Sequence, residues 1–237
     1  MSTAASRFRK ICSELGWGDP RQGLWFIGIE ERQGFEPGDE ETIDRLYGHQ
    51  EYFRDAAVEA RTRPPDPPPQ EGRSRSTYVE AYIAAPLSGS TKDPSSYREL
   101  LLRLGGKVAH ANLYPLGKPS AGSPLPSCYE DLFGFGAGAS EMERYRDEVR
   151  RIRFPRLREA VEVLRPQAII CMGKGYWESF REALAIDSEA KAVVPGKLQV
   201  HEVRRIVMAP HFAWNRFNRS LQELTTGVLR EWGVTLP

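Results

Sequence analysis

The amino-acid sequence predicts an α/β fold, a three-layer α/β/α sandwich around a mainly parallel, four-stranded central sheet. Four short apolar runs rich in β-branched residues recur along the chain, at 24–29, 108–113, 168–172 and 205–209. Runs that are apolar on both faces are typical of parallel strands covered by helices on both sides. Helical patterns separate the runs, and that alternation favours three layers. For 237 residues, a single domain over 1–237 is the simplest organisation.

The first helix is predicted over residues 3–15, where Gly16 and Gly18 end the helical pattern. The strand 24–29 follows this helix. A second and longer helical pattern then extends over 42–61.

Two segments are predicted to leave the sandwich as mobile excursions, at about 62–76 and 117–139. The first contains the sequence PPDPPPQEGRSR, whose prolines exclude a helix interior and a central strand. The second is rich in Gly, Pro and Ser. Loops of that length without regular structure are often functional lids. Helical patterns at 77–85 and 94–104 lie between the two segments.

The second half of the chain is predicted to contain further helices and one antiparallel pair of strands. Helical patterns extend over 141–164, 176–185 and 216–232. Pro155 is expected to bend or split the first of these helices, because proline has no N–H and its ring clashes with the preceding turn. A strand at 198–203 is predicted to pair antiparallel with 205–209.

Charge and composition exclude several classes of protein. The chain has 33 basic and 32 acidic residues, whereas a protein that coats DNA without selectivity is usually far more basic. No apolar run approaches the ~20 residues that span a bilayer, and no secretory signal is visible. The cysteines, Cys12, Cys128 and Cys171, fit no metal-binding spacing. A reducing, cytoplasmic location is therefore the default expectation.

Polar and charged residues follow the predicted strands where each strand ends. These are Glu30 and Glu31, then Asn112, Lys174 and His211. In an open parallel sheet, ligands bind outside the carboxyl ends of the strands. A carboxylate there can activate water, an amide can read a planar ligand edge, and an imidazole can donate to an oxygen that gains charge. The sequence thus predicts one catalytic crevice.

Each of these residues also has a purely structural interpretation. Glu30 or Glu31 could cap a helix or form a surface ion pair, and Asn112 could stabilise a turn. An isolated histidine such as His211 is commonly structural. The sequence Gly-Lys-Gly at 173–175 is too short for a phosphate-binding loop. Their convergence at one sheet edge is what favours the functional interpretation.

At the same positions the chain resembles the uracil-DNA glycosylase superfamily. The family's Gly-x-Asp-Pro or Gly-x-Asn-Pro motif corresponds to Gly-Ile-Glu-Glu at 28–31. The Asn-x-Cys-Pro-Leu motif of the branch selective for single strands and 5-hydroxymethyluracil corresponds to Asn-Leu-Tyr-Pro-Leu at 112–116. A Pro-x-x-Ile-Ile-x-x-Gly strand matches 166–173, and the closing His-Pro-Ser-Pro matches 211–214. The ordered set extends over about 24–232.

The resemblance implies a role for each matched residue. Glu30, in the motif that begins at Gly28, would orient the attacking water. Asn112 would read the edge of the extruded base, with Tyr114 of the same motif in the substrate-binding set. His211 would stabilise negative charge on the departing base. The implied reaction is hydrolysis of an N-glycosidic bond through an oxocarbenium-like state, without cofactor or metal.

The resemblance also implies contacts with DNA, single- or double-stranded, by a monomeric protein. Phe35 is the candidate for the aromatic residue that stacks on the base, and Lys174 is a candidate for a DNA contact. The wedge that fills the vacated position in the stack would come from Asn215, Arg216 or Phe217.

Departures from the family pattern point to an unusual substrate. Glu30 replaces a shorter side chain, and Glu31 replaces proline, so either glutamate could face the site. Arg-Gln-Gly at 32–34 stands where strict uracil enzymes have a tyrosine that excludes 5-substituted bases. Phe212 follows the histidine where the family has proline, and the cysteines of the iron–sulfur branch are missing.

A base bulkier than uracil is therefore expected, such as a 5-substituted or hypermodified pyrimidine. Some superfamily members are thought to attack modified phage DNA, including DNA with glucosylated hydroxymethylcytosine, which would make this chain an antiviral base-excision enzyme. Two alternatives stay open: an N-glycosidase of small nucleosides or nucleotides, and a non-catalytic module that binds nucleic acid.

Overall fold

The computed structural model describes residues 3–21, 23–30, 34–47, 52–54, 76–89, 108–118, 122–187, 189–212 and 217–236. These residues form seven α-helices: α1 (Ala4–Ser13), α2 (Glu40–Leu46), α3 (Ser76–Ala84), α4 (Tyr129–Phe133), α5 (Ala139–Leu164), α6 (Trp177–Leu184) and α7 (Arg219–Glu231). They also form eight strands: β1 (Gly16–Gly18), β2 (Leu24–Glu30), β3 (Phe53–Arg54), β4 (Val108–Tyr114), β5 (Ala168–Met172), β6 (Lys191–Val194), β7 (Leu198–His201) and β8 (Ile206–Ala209). Short 3₁₀ turns, Ala85–Leu87 and Lys174–Tyr176, follow α3 and β5.

The eight described strands form one mixed sheet in the order β3-β1-β4-β2-β5-β8-β7-β6. The central four, β4-β2-β5-β8, are mutually parallel, and they are the four strands predicted from the sequence. β1 pairs antiparallel with β4, and β7 pairs antiparallel with both β8 and β6. The α/β class and the antiparallel pairing of β7 with β8 are confirmed. The prediction of a four-stranded sheet was wrong, because two more strands flank the centre on each side.

The two faces of the sheet carry separate hydrophobic cores. In β2, Trp25 and Ile27 point to the face covered by α1, α2, α4, α5 and α6, which we call face one. Leu24 and Phe26 point to the face covered by α3 and α7, which we call face two. All four side chains are fully buried. Because helices cover both faces, these strands appear in the sequence as continuous apolar runs.

Helix α5 is joined to the rest of the fold by a buried arginine. The guanidinium of Arg153, which is 2% exposed, donates hydrogen bonds to five backbone carbonyls. Four belong to the end of α1 and the residues after it, Ile11, Cys12, Glu14 and Leu15, and the fifth belongs to Asn112 of β4. Two residues later, Pro155 lies within a continuous helix of 26 residues, so the helix is not split.

Several predicted element boundaries were wrong. Gly16 and Gly18 belong to β1 rather than ending α1, which already ends at Ser13. The long helix predicted over 42–61 ends at Leu46, and β3 follows it. Helical spacing alone does not show where hydrogen bonds to a neighbouring strand replace those of the helix.

The two predicted excursions differ in what the structure describes of them. The segment 62–76 lies outside the described residues except for Ser76, which begins α3, and the helix predicted over 94–104 lies outside them entirely. The segment 117–139 contains α4, whose Tyr129 and Phe133 are buried in the core of face one. The prediction that this second segment is irregular throughout was therefore wrong.

Candidate functional site at the carboxyl ends of the strands

The four central strands end at the same edge of the sheet. Gly28 of β2 lies beside Asn112 of β4 in register, and the parallel pairs β2–β5 and β5–β8 continue the row. The chain then leaves β5 through the 3₁₀ turn that begins at Lys174, and leaves β8 through the segment that contains His211. The structure therefore brings four of the predicted site residues to one edge.

Gly28 and Asn112 are in close contact across the two strands. A Cβ atom added to Gly28 would lie 2.6 Å from Oδ1 of Asn112, which is closer than a carbon and an oxygen approach without bonding. Glycine at position 28 thus makes room for the Asn112 amide. The backbone of Asn112 is also held, because its N–H donates to the Leu15 carbonyl (3.3 Å) and its carbonyl accepts from Arg153 Nε (2.9 Å) and Nη2 (2.8 Å).

A buried polar pair lies next to Asn112 along β4. His110, two residues earlier and hence on the same face of the strand, has its Nδ1 3.2 Å from Oε2 of Glu80 on α3. Glu80 is 2% exposed, and the imidazole stacks on the Trp17 ring with centroids 3.9 Å apart. We call Gly28, Asn112, His110 and Glu80 the closed half of the edge.

A cleft of about 630 Å³ opens at the other half of the edge, beside the ends of β5 and β8. We call it the open cleft. Its described lining comprises Ile29, Gly173, Lys174, Gly175, Tyr176, Val194, Gly196, Lys197, Pro210, His211, Asn218, Ser220, Leu221 and Leu224. His211 is partly buried there, and Lys174 is exposed. Of the predicted site residues, His211 and Lys174 share this lining, whereas Gly28 and Asn112 do not belong to it.

The open cleft is positively charged. Among the described residues that line it there is no aspartate or glutamate, while Lys174, Lys197 and His211 provide two ammonium groups and an imidazole. Neither lysine has an ion pair with another described residue. The Lys174 Nζ lies 3.4 Å from the position that a Cβ on Gly196 would take, next to Lys197 in the chain.

The wall of the open cleft depends on a glycine at the end of β5. Gly173 has a φ of 146°, a conformation that favours glycine. A Cβ added there would lie 2.6 Å from Cδ1 and 2.7 Å from Cγ1 of Ile29, which also lines the cleft. The chain can therefore pass close to Ile29 and turn into the 3₁₀ segment that presents Lys174.

Two aromatic residues of the predicted substrate-binding set lie in the core of face one. Phe35 is partly buried and packs edge-on against Tyr47 and Phe133. Tyr114 is 4% exposed, packs against Tyr145, and has its hydroxyl 3.4 Å from Oγ of Ser179. Tyr114 ends β4, and its ring also packs edge-on against Tyr176 of the cleft lining, with centroids 6.0 Å apart. Its assignment to substrate binding stays a prediction.

The predicted DNA wedge is only partly described. Phe217 is 3% exposed, and its ring stacks on Phe212 with centroids 4.5 Å apart. The Phe217 side chain therefore belongs to the core beneath α7, and its assignment as a wedge stays a prediction. The other candidates, Asn215 and Arg216, lie outside the described residues, as does Glu31. Glu30 ends β2 in register with Tyr114.

The structure also adds residues that the sequence pattern did not single out. Lys197 and Ser220 line the open cleft, and Glu80 and His110 form the polar pair of the closed half. No local motif marks any of the four, since Lys197, Ser220 and Glu80 are brought there by packing of a hairpin or a helix. His110 lies within β4, inside a run that is otherwise apolar. In the sequence, only their residue types could have indicated a role for them.

Two properties of the described residues bear on metal binding and on membrane insertion. Within them, no three His, Cys, Asp or Glu side chains are grouped as a metal site would need. The helices in the described ranges include none with the length and apolar character to cross a membrane. Cys12 and Cys171 are buried and Cys128 is partly buried, all three as free thiols.

Comparison with known proteins gives no family for this chain. No model of a protein family matches it, and a search of curated proteins finds no match either. The function must therefore be inferred from the residues and from the geometry of the sheet edge.

Proposed function

We propose that this protein is a DNA glycosylase that hydrolyses the N-glycosidic bond of an extruded, modified pyrimidine. The observation that carries the proposal is the parallel order β4-β2-β5-β8, which places Asn112, Gly28, Lys174 and His211 along one sheet edge. The adjoining cleft of about 630 Å³ has the size of a small-molecule site. Among these residues, the motif resemblance assigns Asn112 to base recognition and His211 to catalysis, and Lys174 is the candidate for a DNA contact.

Recognition of the base is assigned to Asn112. Its amide offers both a donor and an acceptor, as the edge of a pyrimidine requires. The contact with Gly28 and the bonds from Arg153 restrict both ends of this residue. A site with such a restricted amide rejects a base whose pattern of donors and acceptors leaves the amide unpaired.

The chemical step is a hydrolysis in which the bond between C1′ and the base nitrogen breaks. The electron pair of that bond moves into the base, and His211 donates a hydrogen bond to the base oxygen that gains charge. Glu30, or Glu31 in its place, orients a water whose oxygen bonds to C1′, and its carboxylate accepts the water proton. The base leaves and takes up a proton, so the products are a free base and an abasic site.

The substrate is proposed to be larger than uracil. The sequence at 32–34 lacks the tyrosine that would exclude a 5-substituent, and the open cleft lies next to the proposed catalytic histidine. A 5-substituted or hypermodified base fits these features. Glucosylated hydroxymethylcytosine in phage DNA is one such base, and its removal by a monomeric, cytoplasmic enzyme would serve antiviral defence.

The direct test is incubation of the purified protein with single- and double-stranded oligonucleotides, followed by alkaline cleavage at abasic sites. The oligonucleotides carry uracil, 5-hydroxymethyluracil, 5-hydroxymethylcytosine or its glucosylated form. We expect cleavage at the bulkier bases, loss of it in His211→Asn, and no change in Glu162→Gln, an exposed residue of α5. Cleavage at uracil alone would contradict the substrate size, and no cleavage with any base would contradict the activity.

A second candidate function is an N-glycosidase of small nucleosides. It is favoured by the net charge of +1, which is low for a protein that binds DNA. The same protein preparation, given free nucleosides, distinguishes the two, since only this second enzyme would release base from them at a comparable rate. The non-catalytic alternative predicts DNA binding with no base release from either substrate.

A further inference from the structure

Two depressions of opposite charge lie side by side along α7. The first is the open cleft, with Lys174, Lys197 and His211 and no described carboxylate in its lining. The second is a groove of about 770 Å³ between α7 and the β6–β7 hairpin. We call it the acidic groove, because Glu202, Glu223 and Glu231 line it with Lys191 as its single described cation. Ser220 and Leu224 line both depressions, so the two are contiguous.

The two lysines of the open cleft differ from the paired arginines on the exposed face of α5. On α5, Arg150, Arg151 and Arg156 each pair with a carboxylate three residues away. Lys174 and Lys197 have no such partner in the described part of the chain. They reach the cleft from different elements, the 3₁₀ turn after β5 and the turn of the β6–β7 hairpin.

This arrangement suits an anion rather than a cation or an apolar group. Two like charges brought to one cleft repel each other, and an anion between them converts that repulsion into attraction. The Lys174 Nζ lies against Gly196 of the hairpin turn, and Lys197, the next residue of that turn, lines the same cleft. Both side chains are exposed, so each can reach a ligand at the mouth of the cleft without prior desolvation.

We propose that Lys174 and Lys197 form a phosphate subsite that binds the nucleic-acid backbone next to the extruded nucleotide. This inference rests on the proposed function and adds that the substrate is a polymer rather than a free nucleoside. The acidic groove sets the direction of the strand. Glu223 pairs with Arg219 (2.9 Å), whereas Glu231 has no described partner. The charge of Glu231 therefore directs a polyanion in the open cleft away from the carboxyl-terminal end of α7.

The test is equilibrium binding of an unmodified, fluorescently labelled oligonucleotide over a series of salt concentrations. Each lost phosphate contact lowers the slope of log K against log salt by about 0.7 for a single strand or 0.9 for a duplex. We therefore expect the double variant Lys174→Gln/Lys197→Gln to lose about 1.4 to 1.8 of the slope, and each single variant about half of that.

Lys191→Gln is the matched control, because Lys191 is an exposed lysine of the same hairpin that pairs with Glu202 in the acidic groove (3.0 Å). Its slope should equal that of the unchanged protein. Thermal unfolding of every variant verifies the fold, which three exposed side chains should not affect. A double variant with an unchanged slope would overturn the subsite, and so would a control variant that loses as much slope as the single cleft variants.

Competition experiments separate a backbone phosphate from a free one. Inorganic phosphate and a deoxynucleoside monophosphate are titrated into the same binding assay. If the variants weaken binding of the monophosphate but leave the DNA slope unchanged, the site belongs to small nucleotides and the polymer inference is overturned.

Failure of the subsite is distinguishable from failure of the proposed enzyme, because the binding assay needs no turnover. If the double variant loses the expected slope but no abasic product forms with the unchanged protein, the glycosylase is contradicted and the subsite stands. Formation of abasic product by a double variant whose slope is unchanged would overturn the subsite and leave the glycosylase standing.

Discussion

The two halves of the carboxyl edge of the sheet differ in how their polar side chains are arranged. In the closed half, Asn112 lies against the backbone of Gly28, and Glu80 and His110 contact each other, so the polar groups are packed together away from solvent. In the open cleft, Lys174 and Lys197 lie at the surface with no described counter-charge. Fixed polar groups suit recognition of a base, whereas exposed cations suit attraction of a phosphate.

The largest expected effect comes from the buried arginine behind the closed half. Arg153→Leu removes the donor from five backbone carbonyls, and each buried acceptor left without a donor costs about 1–3 kcal/mol. Because some of these carbonyls can find other donors, we expect a loss of about 3–5 kcal/mol in the free energy of unfolding. Urea denaturation measures it.

Arg151→Leu is the matched control for Arg153→Leu. Arg151 lies on the same helix but is exposed, where it pairs with Glu148. A change within about 0.5 kcal/mol is expected for it. Equal effects of the two substitutions would show that the closed half does not depend on Arg153.

The next largest effect is expected from Gly28→Ala. The new methyl would occupy the space of the Asn112 amide, which can rotate away because the colliding Oδ1 is the end of a side chain. We therefore expect stability to change little, while kcat/KM for base excision falls roughly 10²-fold, as after removal of one preorganised hydrogen-bonding group. Asn112→Ala should show a similar loss. Full activity in Gly28→Ala would show that the amide does not act from its present position.

Gly173→Ala should lower stability rather than activity, because it affects the open cleft through the backbone. Alanine at a φ of 146° is strained by about 1–3 kcal/mol, and its Cβ would also collide with Ile29. Loss of stability is therefore expected here, unlike at Gly28. A double-mutant cycle with Ile29→Ala should show a coupling of at least about 0.5 kcal/mol, since that substitution removes both colliding atoms. Strict additivity would mean that the strain is in the backbone alone.

The smallest expected effect concerns the buried thiols beneath the two halves. Burial raises the pKa of Cys12, near the closed half, to about 12, and it also raises the pKa of Cys171, in β5 beneath the open cleft. The unfolded thiols ionise near pH 9 while the folded ones stay neutral, so the free energy of unfolding should fall as pH rises from about 9 towards 12. At pH 9 the loss is about 0.4 kcal/mol for each thiol.

Urea denaturation between pH 7 and 10 measures this effect, and Cys12→Ala should remove its own share. Single-cysteine variants, with Cys128 replaced by Ala, then compare the two halves by their rates of alkylation near pH 8. Equal rates that follow global unfolding are expected. Faster labelling of Cys171 than of Cys12 would show that the open cleft opens locally.

The central strands could be predicted because apolar, β-branched runs need little context. The flanking strands could not, since β1 has three residues and β3 has two. Strands of this length exist only through hydrogen bonds to a neighbour. The same limit explains why the burial of Tyr114 and Phe217 was not predicted, because an aromatic residue inside a motif suits a binding surface and a core equally well.

The sequence by itself determined the α/β class, the four central strands, and the positions of Lys174 and His211 directly after two of them. These follow from local patterns, because a buried strand must be apolar and a polar residue after it must leave the core. Only the tertiary structure decided that Lys197 joins Lys174, that Glu80 meets His110, and that the edge divides into a closed half and an open cleft. Such contacts join distant parts of the chain, and side-chain packing rather than local pattern selects them.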